Sequence, residues 1–207
     1  MYIPKFFAEF DEESLLAFMR EFNFAALVTA ENDLPEATHL PFIIEKRGDK
    51  IVLLAHMAKA NLHWKQFAGR EILVIFQEPH AYVSPLLYAE KLNVPTWNYV
   101  AIHAYGKAKI FETAEENLLL LEKMIAVFDE NYFKTNWREI PDEYKLSRAK
   151  AIVAFEIEVE DLQGKKKLNQ NKDEEDGRRV IEAFEKSENR GEQQIARFMK
   201  EIYDKKS

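Results

Sequence analysis

Between residues 98 and 112, Tyr99, Ala101, His103 and Tyr105 alternate with Val100, Ile102 and Ala104, so one long strand carries packing side chains on both of its faces. Gly106 inside that run predicts a bend or bulge, the device a barrel needs at its corners. Four shorter runs rich in β-branched or aromatic residues, at 24–29, 36–45, 50–55 and 71–77, read as further strands. Arg47-Gly48-Asp49 is a tight connection of the kind that joins antiparallel neighbours. Pro41 lacks an amide hydrogen and favours an edge or a bulge. Val153, Phe155, Ile157 and Val159 alternate with Ala154, Glu156 and Glu158, which predicts a half-buried strand with one wet face.

Helices are inserted among these strands without a regular strand-helix rhythm. Acidic residues at 11–13 open a helix over about residues 11–22. Thr113 and Glu116 form a capping-box pair ahead of an apolar helix over 117–128. From Asp173 the chain turns into charged helical sequence with a break near Asn189-Arg190-Gly191. The pattern predicts a mainly β, six-stranded antiparallel barrel with peripheral helices rather than a doubly wound sheet. Its 207 residues divide into a barrel domain over 1–172 and a C-terminal helical tail over 173–207.

Composition removes several classes of function. A net charge of -7 argues against generic binding to a phosphate backbone. With no cysteine there are no disulfides, thiolate metal sites, iron-sulfur clusters or thiol nucleophile, which fits a reducing cytoplasmic interior. The opening sequence lacks a signal peptide's basic and apolar regions, and no apolar stretch is long enough to span a bilayer.

All five histidines lie between His39 and His103, so the search for a site begins there. In the segment from His56 to Lys65 a strand runs into a helix for which Asn61 is a good N-cap. Free amides at such a junction, with Lys59 and Lys65 beside them, suit a phosphate; solvated lysines around a purely structural cap are the plainer alternative. His39 and His103 are equally explained as buried histidines bonded to backbone carbonyls. No histidine pair has the spacing of a metal site, and Ser84 lacks the glycine elbow of a catalytic nucleophile. Pro95-Thr96-Trp97-Asn98-Tyr99 suits a planar heterocycle, or serves as an aromatic lid on the core. Glycine-rich nucleotide loops are absent. Three lysines, Lys165 to Lys167, follow the last expected strand and are either a second anion-facing element or a solvated turn.

The segments MYIPKFF, ATHLPF, HMAKAN with its HW, FQEPHAYVSP, VPTWNYVAIHAYG and AIVAFEIEVEDLQGKKKLNQN, followed by an acidic helix, resemble the PaiB family over residues 1 to about 185. Phe6 stands where relatives often carry His, and Asn169 where Ser is common. The resemblance implies an FMN-binding split barrel, a homodimer with flavin in a cleft shared by the subunits, and negative transcriptional regulation of protease synthesis and sporulation. It implies a phosphate held where the third strand enters the next helix, near His56, Lys59, Ala60 and Asn61, with Thr38, His39 and Leu40 flanking the ring system. Trp97, Asn98, Lys167, Gln170 and Asn171 complete the implied cofactor set, Trp97 and Asn98 from the partner subunit. The acidic charge points to a DNA-binding protein partner rather than direct operator contact. Competing expectations are a flavin-dependent reductase or oxidase of the pyridoxamine-phosphate-oxidase-like superfamily and a haem-binding split barrel.

Overall fold

Pro41 ends one strand and Ile43 begins the next, and the single residue between them changes the chain's pairing partner. In the computed structural model, which describes residues 1–90 and 92–204, the run expected as one strand over 36–45 is two: β3 (Leu34–Pro41) after β2 (Phe24–Glu31), then β4 (Ile43–Arg47). β3 pairs antiparallel with β2 from Phe24↔Pro41 to Glu31↔Leu34, whereas β4 pairs with β5 (Lys50–Ala58) from Ile43↔Leu54 to Arg47↔Lys50. At the corner the Phe42 amide donates to Asn23 O over 2.9 Å while its ring is 1% exposed and meets Phe76 edge-on at 6.0 Å. A proline followed by a buried anchor turns a ribbon without leaving an amide unpaired.

The remaining elements are β1 (Ala8–Glu9), α1 (Glu12–Glu21), β6 (Ile72–Val83), β7 (Thr96–Ile110), α2 (Ala114–Phe128), α3 (Glu130–Thr135), α4 (Asp142–Ala149), β8 (Ile152–Lys167), α5 (Glu174–Glu185) and α6 (Arg190–Tyr203). Strand order is β3-β2-β6-β7-β8-β5-β4, with β1 on β8. Eight strands are therefore present among the described residues where six were expected. One extra comes from the break at Phe42 and the other is the two-residue β1, too short to carry a periodic signal. Both tight hairpins place residues in the left-handed region: Asn32 and Asp33 at φ 51° and 62° between β2 and β3, and Gly48 at 63° between β4 and β5. Such residues match the twist of paired strands.

The chain divides into two compact units. One comprises Leu16–Phe76 and His103–Leu162, the other Met1–Leu15, Gln77–Ile102 and Gln163–Ser207, and β6, β7 and β8 continue from one into the other. In the Leu16–Phe76 unit, Leu120 and Met124 of α2 pack on Ile43, Val52, Leu54 and Ala154. Asn117 pins α2, donating to Ala149 O and Ile152 O at 3.2 Å each and accepting from the Ala154 amide at 3.1 Å. The expected capping box is made, with the Glu116 amide donating to Thr113 Oγ1 at 3.1 Å. Gly106 serves a close approach: a Cβ there would come nearer than 3.0 Å to the Glu158 carbonyl of β8.

In the other unit, α5 and α6 bury Val180, Ile181, Phe184, Ile195, Phe198 and Met199. Gly177 lies so close to the Tyr203 ring that any larger residue would collide with it. The Tyr203 hydroxyl donates to Asn169 O at 2.7 Å, and burial pushes its pKa up to about 12. Asn169 has φ 63°, a conformation that asparagine tolerates better than serine, and its Nδ2 donates to the Tyr88 hydroxyl at 3.2 Å.

The expectation that the last strand ends near residue 159 is corrected. β8 runs on to Lys167 because β1 pairs with its far half, Ala8↔Lys165 and Glu9↔Gly164. Lys166, 8% exposed, is neutralised there by Glu9 at 2.9 Å and bonds Ser14 Oγ at 2.6 Å.

Candidate functional site

After β5 the chain makes a five-residue 3-10 turn, Leu62–Gln66, rather than a full helix. Asn61 caps it, its Oδ1 accepting from the His63 amide at 3.1 Å. Because a backbone amide only donates, the carbonyl end of the Asn61 side chain must face it, which directs Nδ2 to Thr38 Oγ1 at 3.1 Å. Gln66 is fixed the same way from the other side. Its Nε2 meets the Glu36 carboxylate at 2.6 Å, an acceptor only, so its Oε1 receives the Thr29 hydroxyl at 2.6 Å.

Between the two threonines lies His63, with no exposed surface. Its Nε2 is 2.8 Å from Thr29 Oγ1 and its Nδ1 is 2.8 Å from Thr38 Oγ1. Thr29 has given its one proton to Gln66, so it accepts from Nε2–H, and Nδ1 accepts from the Thr38 hydroxyl. The result is a chain of donors running one way: Asn61 to Thr38 to His63 to Thr29 to Gln66 to Glu36. Burial holds the His63 pKa below its ordinary value, against the opposing pull of Glu36, and so keeps the ring neutral as this direction requires.

Of the expected residues in this unit, Thr38 and Asn61 are brought together. His39 lies on the other face of β3, its ring stacked on Phe24 at 6.3 Å and 23°, both exposed. Leu40 is buried in the core. His56 meets the Met124 sulfur of α2 at 3.0 Å through Nδ1, and burial lowers its pKa. Lys59 and Ala60 are exposed; the Lys59 amide is bonded to Ala151 O, and its carbonyl accepts from Trp64 Nε1 at 3.2 Å. Neither Lys59 nor Lys65 has a carboxylate within 4.0 Å among the described residues, and Lys65 lies 5.8 Å from the Trp64 ring.

In the other unit, Trp97 is 51% exposed on β7, while the adjacent Asn98 is wholly buried, its Nδ2 3.4 Å from the Met199 sulfur and its Oδ1 without a partner among the described residues. Lys167 donates to Thr96 Oγ1 and to Trp97 O, the latter at 2.6 Å. Burial, then the charge of Lys165, holds its pKa below the usual lysine range. Gln170 closes its own turn, accepting from the Leu168 amide at 2.7 Å and donating to Lys166 O at 2.5 Å. Asn171 is exposed.

The residues missing from the sequence expectation are His63, Thr29 and Gln66. Asn-x-His directly after a strand was the visible signal; its threonine partners come from strands 34 and 25 residues away.

A flavin phosphate calls for cations and polar donors, and its ring system calls for flat walls with hydrogen-bonding edges. Lys59 and Lys65, with no carboxylate within 4.0 Å among the described residues, and the second amide hydrogen of Asn61 have the chemistry a phosphate needs, so the residues present fit that end of the group, while the His39–Phe24 stack lies on the opposite face of β3. The family model described as "Putative FMN-binding domain" matches residues 1–161, and the chain belongs to that family of FMN-binding proteins. It is 40% identical over 205 residues to "Protease synthase and sporulation protein PAI 2" of Bacillus subtilis, covering 97% of both chains. The PaiB resemblance is thereby borne out, with FMN as the group its family is described as binding. An uncharacterized protein of Emericella nidulans is 31% identical, over 89% of this chain and 90% of its own. Among solved structures, the flavocytochrome Anf3 of Azotobacter vinelandii superposes with a TM-score of 0.62 at 15% identity, covering 80% of this chain and 72% of its own. That likeness concerns fold alone, and it agrees with the expected split barrel.

Proposed function

We propose that this protein is a flavin-responsive regulator that acts as a homodimer and binds the FMN phosphate beside Lys59 and Asn61. The observation that carries the reading is the oriented chain from Asn61 to Glu36 next to two lysines that have no carboxylate within 4.0 Å among the described residues. Lys59 supplies charge and Asn61 a directed N–H. FMN, when bound, supplies redox chemistry that the side chains lack.

The regulatory part of the proposal follows the PAI 2 name, and a net charge of -7 favours a protein partner that itself reads DNA. Exposed apolar side chains support self-association: Phe6, Phe10, Leu86, Leu92 and Val94 are between 73% and 96% exposed. Among the described residues no helix is long and apolar enough to cross a membrane, and we place the protein in the cytoplasm.

Lys59→Ala tests the phosphate site. Removing a charge-assisted bond of about 1.5–3 kcal/mol weakens FMN roughly tenfold to a hundredfold while riboflavin, lacking the phosphate, is little changed. Equal loss of both ligands in fluorescence titrations overturns the placement. Turnover of reduced nicotinamide by the FMN-loaded protein would replace the regulator with a reductase.

A further inference from the structure

Lys165 is only 8% exposed, yet its ammonium has no carboxylate within 4.0 Å among the described residues. Its one hydrogen bond goes to Tyr2 O at 3.2 Å, and it lies 5.8 Å from the Tyr2 ring and 5.2 Å from the Tyr99 ring. An ammonium has three donors, and ring faces offset only part of the cost of burying it. Lys166, the next residue, has Glu9; Lys165 and Lys167, two apart on a strand and so on its other face, have only neutral acceptors. Positive charge is concentrated on that face without an internal counter-ion among the described residues.

Across the neighbouring strands the same face is aromatic. Trp97 and Tyr99 are two apart on β7, and on β6 the His80 ring lies 5.5 Å from Trp97. Gln77, His80, Trp97 and Tyr99 line a cavity of about 220 Å³. That is below the ~300 Å³ at which drug-sized pockets begin, so its occupant has one or two rings. Flat walls, a glutamine and a histidine for directed bonds, and a lysine 5.2 Å from the Tyr99 ring that forms one wall define a recognisable chemistry.

We propose that this face of β6, β7 and β8 binds a second ligand, a small planar aromatic carboxylate, whose ring enters the cavity between His80, Trp97 and Tyr99 and whose charge is balanced by Lys165 and Lys167. The lowered pKa of Lys167, caused by burial and then by Lys165, fits two cations placed together for an anion they would share. The family resemblance puts Trp97 and Lys167 toward the flavin; here they belong to a separate site. The proposal stands independently of the flavin phosphate site, which lies in different residues.

The probe is 2-naphthoate, titrated into the full-length protein by calorimetry with and without saturating FMN. One naphthoate per chain should bind with an affinity unaffected by FMN, and the neutral analogue 2-naphthalenemethanol should bind at least tenfold more weakly. Lys165→Met should weaken naphthoate roughly tenfold to a hundredfold and leave the neutral analogue unchanged. Trp97→Ala removes a half-exposed wall, so the fold should survive with its melting temperature little changed, and it should weaken both probes. No binding at millimolar naphthoate overturns the proposal, as does an unchanged affinity in Trp97→Ala. Displacement of naphthoate by FMN does so too, because it assigns the cavity to the flavin. Loss of FMN affinity in Lys59→Ala with naphthoate binding intact separates this site from the first.

Discussion

Replacing Thr29 with Val keeps the shape of a side chain that is 2% exposed and deletes one hydroxyl from the middle of the donor chain. Two bonds go with it, from His63 Nε2–H to Thr29 at 2.8 Å and from Thr29 to Gln66 Oε1 at 2.6 Å. At a net ~1 kcal/mol each, the loss is about 2 kcal/mol. A buried Nε2–H facing a methyl group would add a further desolvation penalty, but the ring has an escape. Moving its proton to Nδ1 lets it donate to Thr38 Oγ1, which has a lone pair to spare beside the bond from Asn61 and, being half-exposed, can turn its own proton to water.

The variant should therefore melt about 6 °C lower, at ~3 °C per kcal/mol for a chain of this size, and His63 should change tautomer. Long-range ¹⁵N correlation spectra distinguish the two forms. Wild type should show a protonated Nε2 and a bare Nδ1, and Thr29→Val the reverse. Thr38→Val leaves the wild-type tautomer in place and costs less, since the half-exposed Asn61 amide it strands can turn to water. A wild-type His63 protonated at Nδ1, or the same tautomer in Thr29→Val as in wild type, refutes the one-way chain.

Acidification should also destabilise the fold. Burial lowers the pKa of His56, His63 and His103, so on acidification the unfolded chain takes up these protons first. The stability they contribute is whole above about pH 6.5 and is lost as pH falls through the folded-state values; a urea midpoint at roughly pH 5.5 no lower than at 7.5 contradicts this. Gly106→Ala should cost about 3 kcal/mol or more, because the colliding Glu158 carbonyl is backbone and can yield only by separating β7 from β8. A thermal melt within two degrees of wild type would show that the strands can part cheaply.

Where a structural decision is made by neighbours in sequence, the chain could be read directly. The capping box joins residues three apart, and the turn at Gly48 needs one left-handed glycine between paired strands. α3 and α4 were missed for a related reason: they are short, and α4 starts behind Pro141 with no side-chain cap to announce it. The far half of β8 was hidden because three successive lysines read as a solvated turn. Only pairing with Ala8 and Glu9, about 155 residues earlier, makes that half a strand and separates the salt-bridged Lys166 from Lys165 and Lys167.

The donor chain was less legible still, since its logic is directional and direction has no period. Asn61 as an N-cap was visible, but its amide orientation is set by the His63 backbone, and that of Gln66 by a carboxylate on β3. An apolar residue at position 63 could stabilise the same corner, since buried polar groups are costly unless every partner is supplied. What histidine adds is orientation. With Oδ1 held by His63 N and one amide hydrogen held by Thr38, the remaining hydrogen of Asn61 has a fixed direction before any ligand arrives. A phosphate meeting it would bear little of the side-chain ordering cost that weakens binding to flexible surface groups. The buried histidine is thus best understood through the half-exposed asparagine it aligns, and the change of tautomer in Thr29→Val is the measurement on which that account depends.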